Sequence, residues 1–322
     1  MVSAPRRTPG TRPPDYPPNR VAITGASGFL GSALAAQLQS SGFAVQRVRR
    51  TQHAASPDIA WLPPLGMLDG SALEGVDAVV NLAGEPISRP WTSKRKQAIR
   101  ESRILGTSLL ARTIAQLKRP PRLLLSGSAI GIYGDRGEEE LDESSTLGSD
   151  FLATTAIDWE SATEPARQAG IRVVLLRTGV VLSPGGGALA KMLLPFKLGL
   201  GGRIGSGQQW MSWIGLGDWV AAVRFLLASE ATAGAVNLVA PNPVPNAEFA
   251  TTLARVLGRP AVARVPAAAI GLLLGEMGRS TVLASQRIRP LRLIQEGFEF
   301  THPTLEQALR AELGKERRAP SA

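Results

Sequence analysis

Apolar residues occur in two textures along this chain. Short unbroken runs alternate with longer stretches in which apolar positions recur every three or four residues. The first texture predicts strands buried on both faces, the second helices with one buried face. Val21-Ala22-Ile23 is such a run, and glycines follow at Gly25, Gly28 and Gly31. Phe29, Leu30, Ala33, Leu34 and Leu38 then share one helical face, until Ser40-Ser41-Gly42 stops the helix. Phe43-Ala44-Val45 with Val48 makes the next strand, and Ile59-Ala60-Trp61 a short one. Ala78 to Leu82 reads as a buried strand, 93–118 as a long helix ended by Pro120-Pro121, and Leu123-Leu124-Leu125 as a strand running into SGSAIGIYG. A helix over 151–168 and a strand from Val173 to Leu176 complete the series. This alternation predicts an α/β fold with a doubly wound parallel sheet, a Rossmann domain.

The texture changes at Ser183. The string PGGGALAKMLLPFKLGLGGRIGSGQQW is glycine-rich with amphipathic pieces. Beyond it, helices are expected near 218–229, 246–257 and 304–313, with short strands at Val236-Asn237-Leu238 and from Val262 to Val265. The expected organisation is a Rossmann domain over 20–183, to which 215–240 returns, and a smaller mixed α/β C-terminal lobe from 184–214 and 241–322. A small-molecule substrate would sit in the cleft between them. Residues 1–19, MVSAPRRTPGTRPPDYPPN, are too rich in proline and too poor in apolar residues to pack, so a disordered extension is expected. It lacks the apolar core of a secretory signal. A cytoplasmic protein is expected, or one of an organelle stroma or matrix if the extension is a transit peptide.

Composition removes several classes. There is no cysteine among the 322 residues, which excludes disulfides and cysteine chemistry. No apolar stretch reaches the roughly 18 residues of a membrane span, so no membrane partner is expected. The net charge of +10, from 36 basic and 26 acidic residues, invites a nucleic-acid reading. The basic residues are scattered without interleaved aromatics, however, and no nucleic-acid partner is expected.

The strand–glycine turn–helix–strand order around GxxGxxG is the context that a dinucleotide site requires. A side chain at Gly25 would strain the turn, one at Gly28 would hold the backbone off a pyrophosphate, and one at Gly31 would separate helix from strand. The helix start offers unpaired N–H groups and a positive dipole end to phosphate. An NAD site commonly has an acidic residue after the second strand, for the ribose 2′-hydroxyl. Here Arg47, Arg49 and Arg50 stand there, with no acid before Asp58. A guanidinium can grip a 2′-phosphate that a carboxylate would repel, so NADP(H) is the expected cofactor. The plainer alternative is that some of these arginines are only solvated. Ala83 and Gly84 are small enough for a nucleotide to lie over the strand end. Arg103 either reaches the cofactor or belongs to a solvated face.

The strings GASGFLG, NLAGE, SGSAIGIYG and RTGVVL, in this order, resemble the extended short-chain dehydrogenase/reductases of the NAD(P)-dependent epimerase/dehydratase type. NLAGEPI, the long glycine-rich string and VPAAAIGLLLGE are similar to one branch, the SDR39U-type epimerase-family proteins, which carry a C-terminal domain of unknown function. The resemblance runs from about Val21 to Leu313. It implies an NADP(H) phosphate loop of Gly25, Ser27, Gly28, Phe29, Leu30 and Gly31, with the 2′-phosphate on Arg49 and Arg50. Leu82, Ala83 and Gly84 would line the adenosine side, Arg103 would approach the cofactor, and Val181 and Leu182 would flank the nicotinamide. It also suggests a homodimer through helices 93–118 and 151–168, and a loose link to cell division.

The chain departs from that superfamily in its catalytic pair. Tyrosine and lysine in YxxxK move the proton that accompanies hydride transfer. The two tyrosines here are Tyr16, in the extension, and Tyr133, which has Gly137 four residues on rather than lysine. Aligned on Glu160, the pair falls on Leu152 and Ala156, neither of which can carry a proton. Ser128 matches the superfamily's substrate-polarising serine, and Tyr133 is a stand-in acid or a packing aromatic. Asp158, Glu160, Lys191 and Asp218 are further titratable candidates; Asp158 and Glu160 could equally be solvated or capping. Trp159, Trp210, Trp213 and Trp219 either wall a pocket or fill the lobe. His53 and His302 read as surface residues, and no metal site is expected. Two functions follow: an NADP(H)-dependent oxidoreductase or epimerase of atypical mechanism, with Ser128 and Tyr133 in its site, or a non-catalytic NADP(H)-binding sensor or regulator.

Overall fold

Among the described residues, 20–315 of a computed structural model, eight strands build one central sheet. They are β1 (Arg20–Thr24), β2 (Ala44–Arg49), β3 (Ile59–Leu62), β4 (Met67–Leu68), β5 (Ala78–Asn81), β6 (Leu123–Ala129), β7 (Arg172–Thr178) and β8 (Gly234–Leu238). The proline-rich segment 1–19, with Tyr16, lies outside the described residues. The spatial order is β8-β7-β6-β5-β1-β2-β3-β4. Neighbours are parallel except for β3 and β4. The chain winds outward from β1 through β2 and β3, then crosses back to β5 on the other side of β1. Ligands of open α/β sheets bind at that reversal, beyond the carboxyl ends of the strands.

The helices are α1 (Phe29–Ser40), α2 (Ser93–Ala115), α3 (Phe151–Ser161), α4 (Glu164–Gln168), α5 (Gly187–Lys197), α6 (Leu216–Ala228), α7 (Asn246–Leu257), α8 (Ala267–Thr281), α9 (Leu291–Gln295) and α10 (Leu305–Glu312). Strand alternation explains why the apolar runs are unbroken. Val21 and Ile23, Ala78 and Val80, Leu123 and Leu125, and Val174 and Leu176 pack under α1 and α6. Ala22, Val79, Leu124 and Val173 point the other way, into a core closed by Leu110, Ala111 and Ile114 of α2 and Ala166 of α4. Both faces of the central strands are dry, so their middle positions are apolar and polar residues such as Asn81 and Arg177 fall towards the carboxyl ends.

The C-terminal lobe has its own core, in which Leu189, Leu193 and Phe196 of α5 meet Trp213, Phe249 and Leu253 of α7, and Leu305 and Leu309 of α10. Short strand pairs hold it: Val180–Ser183 beside Trp213–Gly215, and Gly202–Ile204 beside Ala263–Val265, both parallel. Of the four tryptophans at issue, Trp213 and Trp219 are fully buried core residues. Asp218, also buried, ties the lobe to α6 by accepting the backbone amides of Thr301 (2.9 Å) and His302 (3.0 Å).

Two expectations change. The helix read over 151–168 is two helices, α3 and α4, because Pro165 sits in the first turn of the second and cannot continue the hydrogen bonding of the first. The glycine-rich string and the tail contain α5, α8 and α9, which its glycines and prolines disguised. Among the described residues no helix is long and apolar enough to cross a membrane.

Asp218→Ala leaves two backbone amides without their acceptor. A loss of about 1–3 kcal/mol is expected in chemical denaturation. A change below about 0.5 kcal/mol would show that the carboxylate does not hold the lobe.

Candidate functional site

The turn after β1 lies almost in contact with the end of β5. Gly25 has φ of +68°, and a Cβ there would stand 2.8 Å from the carbonyl carbon and oxygen of Leu82. Only glycine meets both demands. The approach is fixed by Thr24, whose buried hydroxyl donates to Asn81 Oδ1 at 2.7 Å and accepts the amides of Leu82 and Ala83, each at 3.1 Å. Asn81 in turn donates to Thr107 of α2 (2.7 Å), which also receives Trp159 Nε1 (2.9 Å). One chain of polar contacts thus locks the loop to β5, α2 and α3.

Gly28 caps α1 in extended conformation and makes no side-chain cap bond, so the helix start keeps amides available to an anion. Ser27 and Gly28 are exposed, and Phe29 and Leu30 half-buried. Phe29 lies against the glycine-rich string: a Cβ on Gly186 would come within 2.6 Å of its ring. Val181, Leu182 and the 184–187 turn therefore come together with the phosphate loop. Val181 and Leu182 are themselves buried, Val181 packing with Phe29 in the sheet core and Leu182 in that of the lobe.

At the end of β2, Arg47, Arg49 and Arg50 are all exposed. Arg49 pairs with Asp58 at 3.1 Å, with its side chain 65% exposed. Such a pair contributes about 0–1 kcal/mol, so a phosphate can displace it. Arg47 and Arg50 have no ion pair among the described residues. Arg103 is placed differently from a solvated residue. Its guanidinium donates to the carbonyls of Glu85 and Ile99, both at 3.0 Å, lies 5.1 Å from the Trp159 ring and backs onto Gly84. Burial lowers its pKa to about 10, against the pull of Glu85, which leaves it a cation at neutral pH. It braces the 84–85 backbone.

Ser128 and Tyr133 are brought together by a residue that the sequence reading did not single out, Arg177 of β7. Its guanidinium grips Glu160 of α3 with two bonds, Nε to Oε1 at 2.9 Å and Nη2 to Oε2 at 3.0 Å. Its Nη1 donates to the Tyr133 hydroxyl at 2.9 Å. Tyr133 donates to Asn237 Oδ1 at 2.8 Å, and Ser128 Oγ donates to Glu160 Oε1 at 2.6 Å. Glu160 was open to being solvated or capping; its side chain is only 11% exposed and forms a buried ion pair. Burial alone would lower the pKa of Arg177, but the bonds and charge of Glu160, with Tyr133, outweigh it and raise the value. Burial likewise raises that of Tyr133, against the opposing effects of Arg177 and Asn237.

These bonds fix proton directions. A carboxylate paired with a guanidinium only accepts, so Ser128 must spend its one proton on Glu160. The hydroxyl of Tyr133, fully buried, is used as donor and as acceptor. The other titratable candidates are engaged elsewhere: Asp158 with Arg100, Lys191 with the Ser88 carbonyl, and Asp218 with the lobe. The signal for Arg177 was in the string RTGVVL, but a charge inside a strand run reads as an edge position until its partner 17 residues upstream is known.

A doubly wound sheet, a glycine turn against the strand after the crossover and an uncapped helix start define a dinucleotide-binding α/β protein. The NAD dependent epimerase/dehydratase family model matches residues 21–238, and a domain of unknown function, DUF1731, matches 265–312. The chain belongs to the NAD dependent epimerase/dehydratase family. An epimerase family protein of Mycobacterium bovis is 45% identical over 290 residues, 90% of this chain and 96% of that protein. The human epimerase family protein SDR39U1 is 37% identical over 297 residues, 90% and 98% of the two chains. A crystal structure of human SDR39U1 (isoform 2) with NADPH superposes with a TM-score of 0.84 at 35% identity, covering 92% of this chain and all 100% of that one. A nucleoside-diphosphate sugar epimerase from Corynebacterium glutamicum gives 0.78 at 38% identity, over 94% of this chain and 60% of that one.

Removing one member of the Glu160–Arg177 pair strands a buried charge. Glu160→Leu and Arg177→Met should each cost about 3–5 kcal/mol in denaturant unfolding, and the double variant less than the sum of the two. Additive losses would contradict the pairing. For Tyr133, a raised folded pKa means that the native state holds the proton more tightly than the unfolded chain. Its contribution is complete below the ordinary tyrosine value of 10.0 and is lost as the pH rises from there through the raised folded value. The stability difference between wild type and Tyr133→Phe should stay constant from about pH 6 to 9 and shrink only at higher pH.

Proposed function

We propose that this protein is an NADP(H)-dependent oxidoreductase of the epimerase type, acting on a small molecule between the sheet edge and the C-terminal lobe without a tyrosine–lysine proton pair. The observation that carries it is the pairing of the Gly25 turn with the exposed arginines at the end of β2. The residues fit the cofactor. The close-packed turn and the uncapped start of α1 suit a pyrophosphate, and Arg47, Arg49 and Arg50 suit a 2′-phosphate. The NADPH of the human relative supports the same reading. When bound, NADP(H) supplies the two-electron oxidant or reductant.

The chain's own residues then hold and orient. Thr24 holds the Leu82 and Ala83 amides, and Arg103 the backbone at Gly84 and Glu85, beneath the adenosine side. Val181, with the glycine turn pressed on Phe29, gives the nicotinamide end a dry wall, and Leu182 backs it from the core of the lobe. Ser128 presents lone pairs only, because its proton is committed to Glu160. A substrate group that meets it must donate a hydrogen bond, which suits an alcohol or a hydrated carbonyl rather than a free carbonyl oxygen.

A second reading, an NADP(H)-binding sensor or regulator without turnover, is favoured by a specific observation. The hydroxyls of Ser128 and Tyr133 are both committed inside the protein, and alignment on Glu160 puts Leu152 and Ala156 where a relay pair would fall. Anaerobic mixing of the protein with NADPH or NADP⁺ and a panel of sugar nucleotides, alcohols, ketones and quinones separates the two. Substrate-dependent change in nicotinamide absorbance, lost in Ser128→Ala, supports the enzyme; tight binding with no turnover across the panel supports the sensor.

Arg50→Glu should weaken NADPH at least tenfold, about 1.4 kcal/mol, and leave NADH within a factor of three by calorimetry. Equal losses for both nucleotides would remove the 2′-phosphate contact from the account.

A further inference from the structure

We propose that the C-terminal lobe carries a second anion site, built by Arg203 and Arg264, that takes the phosphate group of a small phosphomonoester. None of its lining residues belongs to the nucleotide loop. Arg203 and Arg264 are register partners on the parallel pair Gly202–Ile204 and Ala263–Val265. Register partners stand on the same side of the ribbon, about 4.8 Å apart at the backbone. Like charges so placed repel. Neither guanidinium has an ion pair among the described residues.

The two chain segments that carry these arginines hold no acid close in sequence to relieve that repulsion. Between residues 184 and 217, and again between 249 and 275, the chain contains no Asp or Glu. Glu248 follows the lining residue Ala247, but it is exposed and does not line the depression. Arg203 donates from Nη1 to the Ser206 carbonyl at 3.2 Å, while its Nε is buried and has no hydrogen-bond partner among the described residues. A buried donor without an acceptor is costly, so an acceptor that reaches it is favoured.

The space is present. Arg203, Arg264, Ala247, Ala250, Thr251 and Val262 line a depression of about 400 Å³. Thr251 gives its proton to the Ala247 carbonyl, so the donors facing the depression are the guanidiniums. Two planar forks match a phosphate better than a single carboxylate, since three terminal oxygens can each accept. The alanine and valine walls leave room for a small organic group on the ester oxygen. Free inorganic phosphate shares the chemistry, and the two sources differ in whether those walls contribute.

The test uses full-length protein saturated with NADPH, so that the cofactor's own phosphate positions are filled. Calorimetric titrations with inorganic phosphate and with phenyl phosphate are compared between wild type and Arg203→Gln/Arg264→Gln. The expected result is saturable one-site binding, weakened at least tenfold in the variant, with phenyl phosphate the tighter probe. Equal affinity for the two probes would assign the site to free phosphate. No saturable binding at millimolar concentration, or binding unchanged in the variant, overturns the proposal. Arg264→Gln alone gives an independent reading in phosphate-free buffer. Relief of the repulsion should raise its melting temperature, and added phosphate should then stabilise the wild type more than the variant; the opposite pattern overturns the site. The same titrations in Arg50→Glu protein separate failure here from failure of the cofactor reading.

Discussion

The Arg177 guanidinium is the constraint around which the sheet edge is arranged. A cation in the interior is tolerated only when it is paired and its donors are met, because desolvation costs several kcal/mol per ion. Glu160 supplies the charge, the Tyr133 hydroxyl takes a further donor, and Ser128 completes the carboxylate's acceptance. These partners come from α3, from the turn after β6 and from β6 itself. Satisfying one buried charge therefore fixes the mutual position of three elements at the carboxyl edge of the sheet. Asn237 of β8, bonded to Tyr133 and to the Arg289 carbonyl, extends the hold into the C-terminal segment.

A second constraint acts on the other side of the crossover. The Gly25 turn is pressed on the end of β5, and Thr24, Asn81 and Thr107 hold it there by bonds that also take the Leu82 and Ala83 amides. The two networks adjoin through Trp159, which reaches Thr107 and lies one residue before Glu160. The sheet edge is thus rigid on both sides of the reversal, which is where a dinucleotide is held in such folds. The glycine-rich string adds the third wall by closing on Phe29.

This arrangement explains how a chain without the tyrosine–lysine pair keeps an ordered site. The Glu160–Arg177 ion pair takes the proton of Ser128 and so sets its hydroxyl as an acceptor.

The order of strands and helices, the dinucleotide loop and the absence of a relay pair were legible in the sequence, because each depends on local pattern. Glycines at Gly25, Gly28 and Gly31 between a buried strand and an amphipathic helix have few other readings, and two tyrosines can be counted. Helix breaks were less legible: Pro165 divides a stretch whose apolar period is continuous, and α5 and α8 are hidden by their glycines. The partners of charged residues were not legible at all. Whether Glu160 is solvated or buried, whether Arg103 faces water or the 84–85 backbone, and whether Arg203 stands beside Arg264 depend on residues 17 to 61 positions away. Local pattern determines which elements form; only the packing of distant elements sets the dielectric and the partner of each charge, and through them its chemistry.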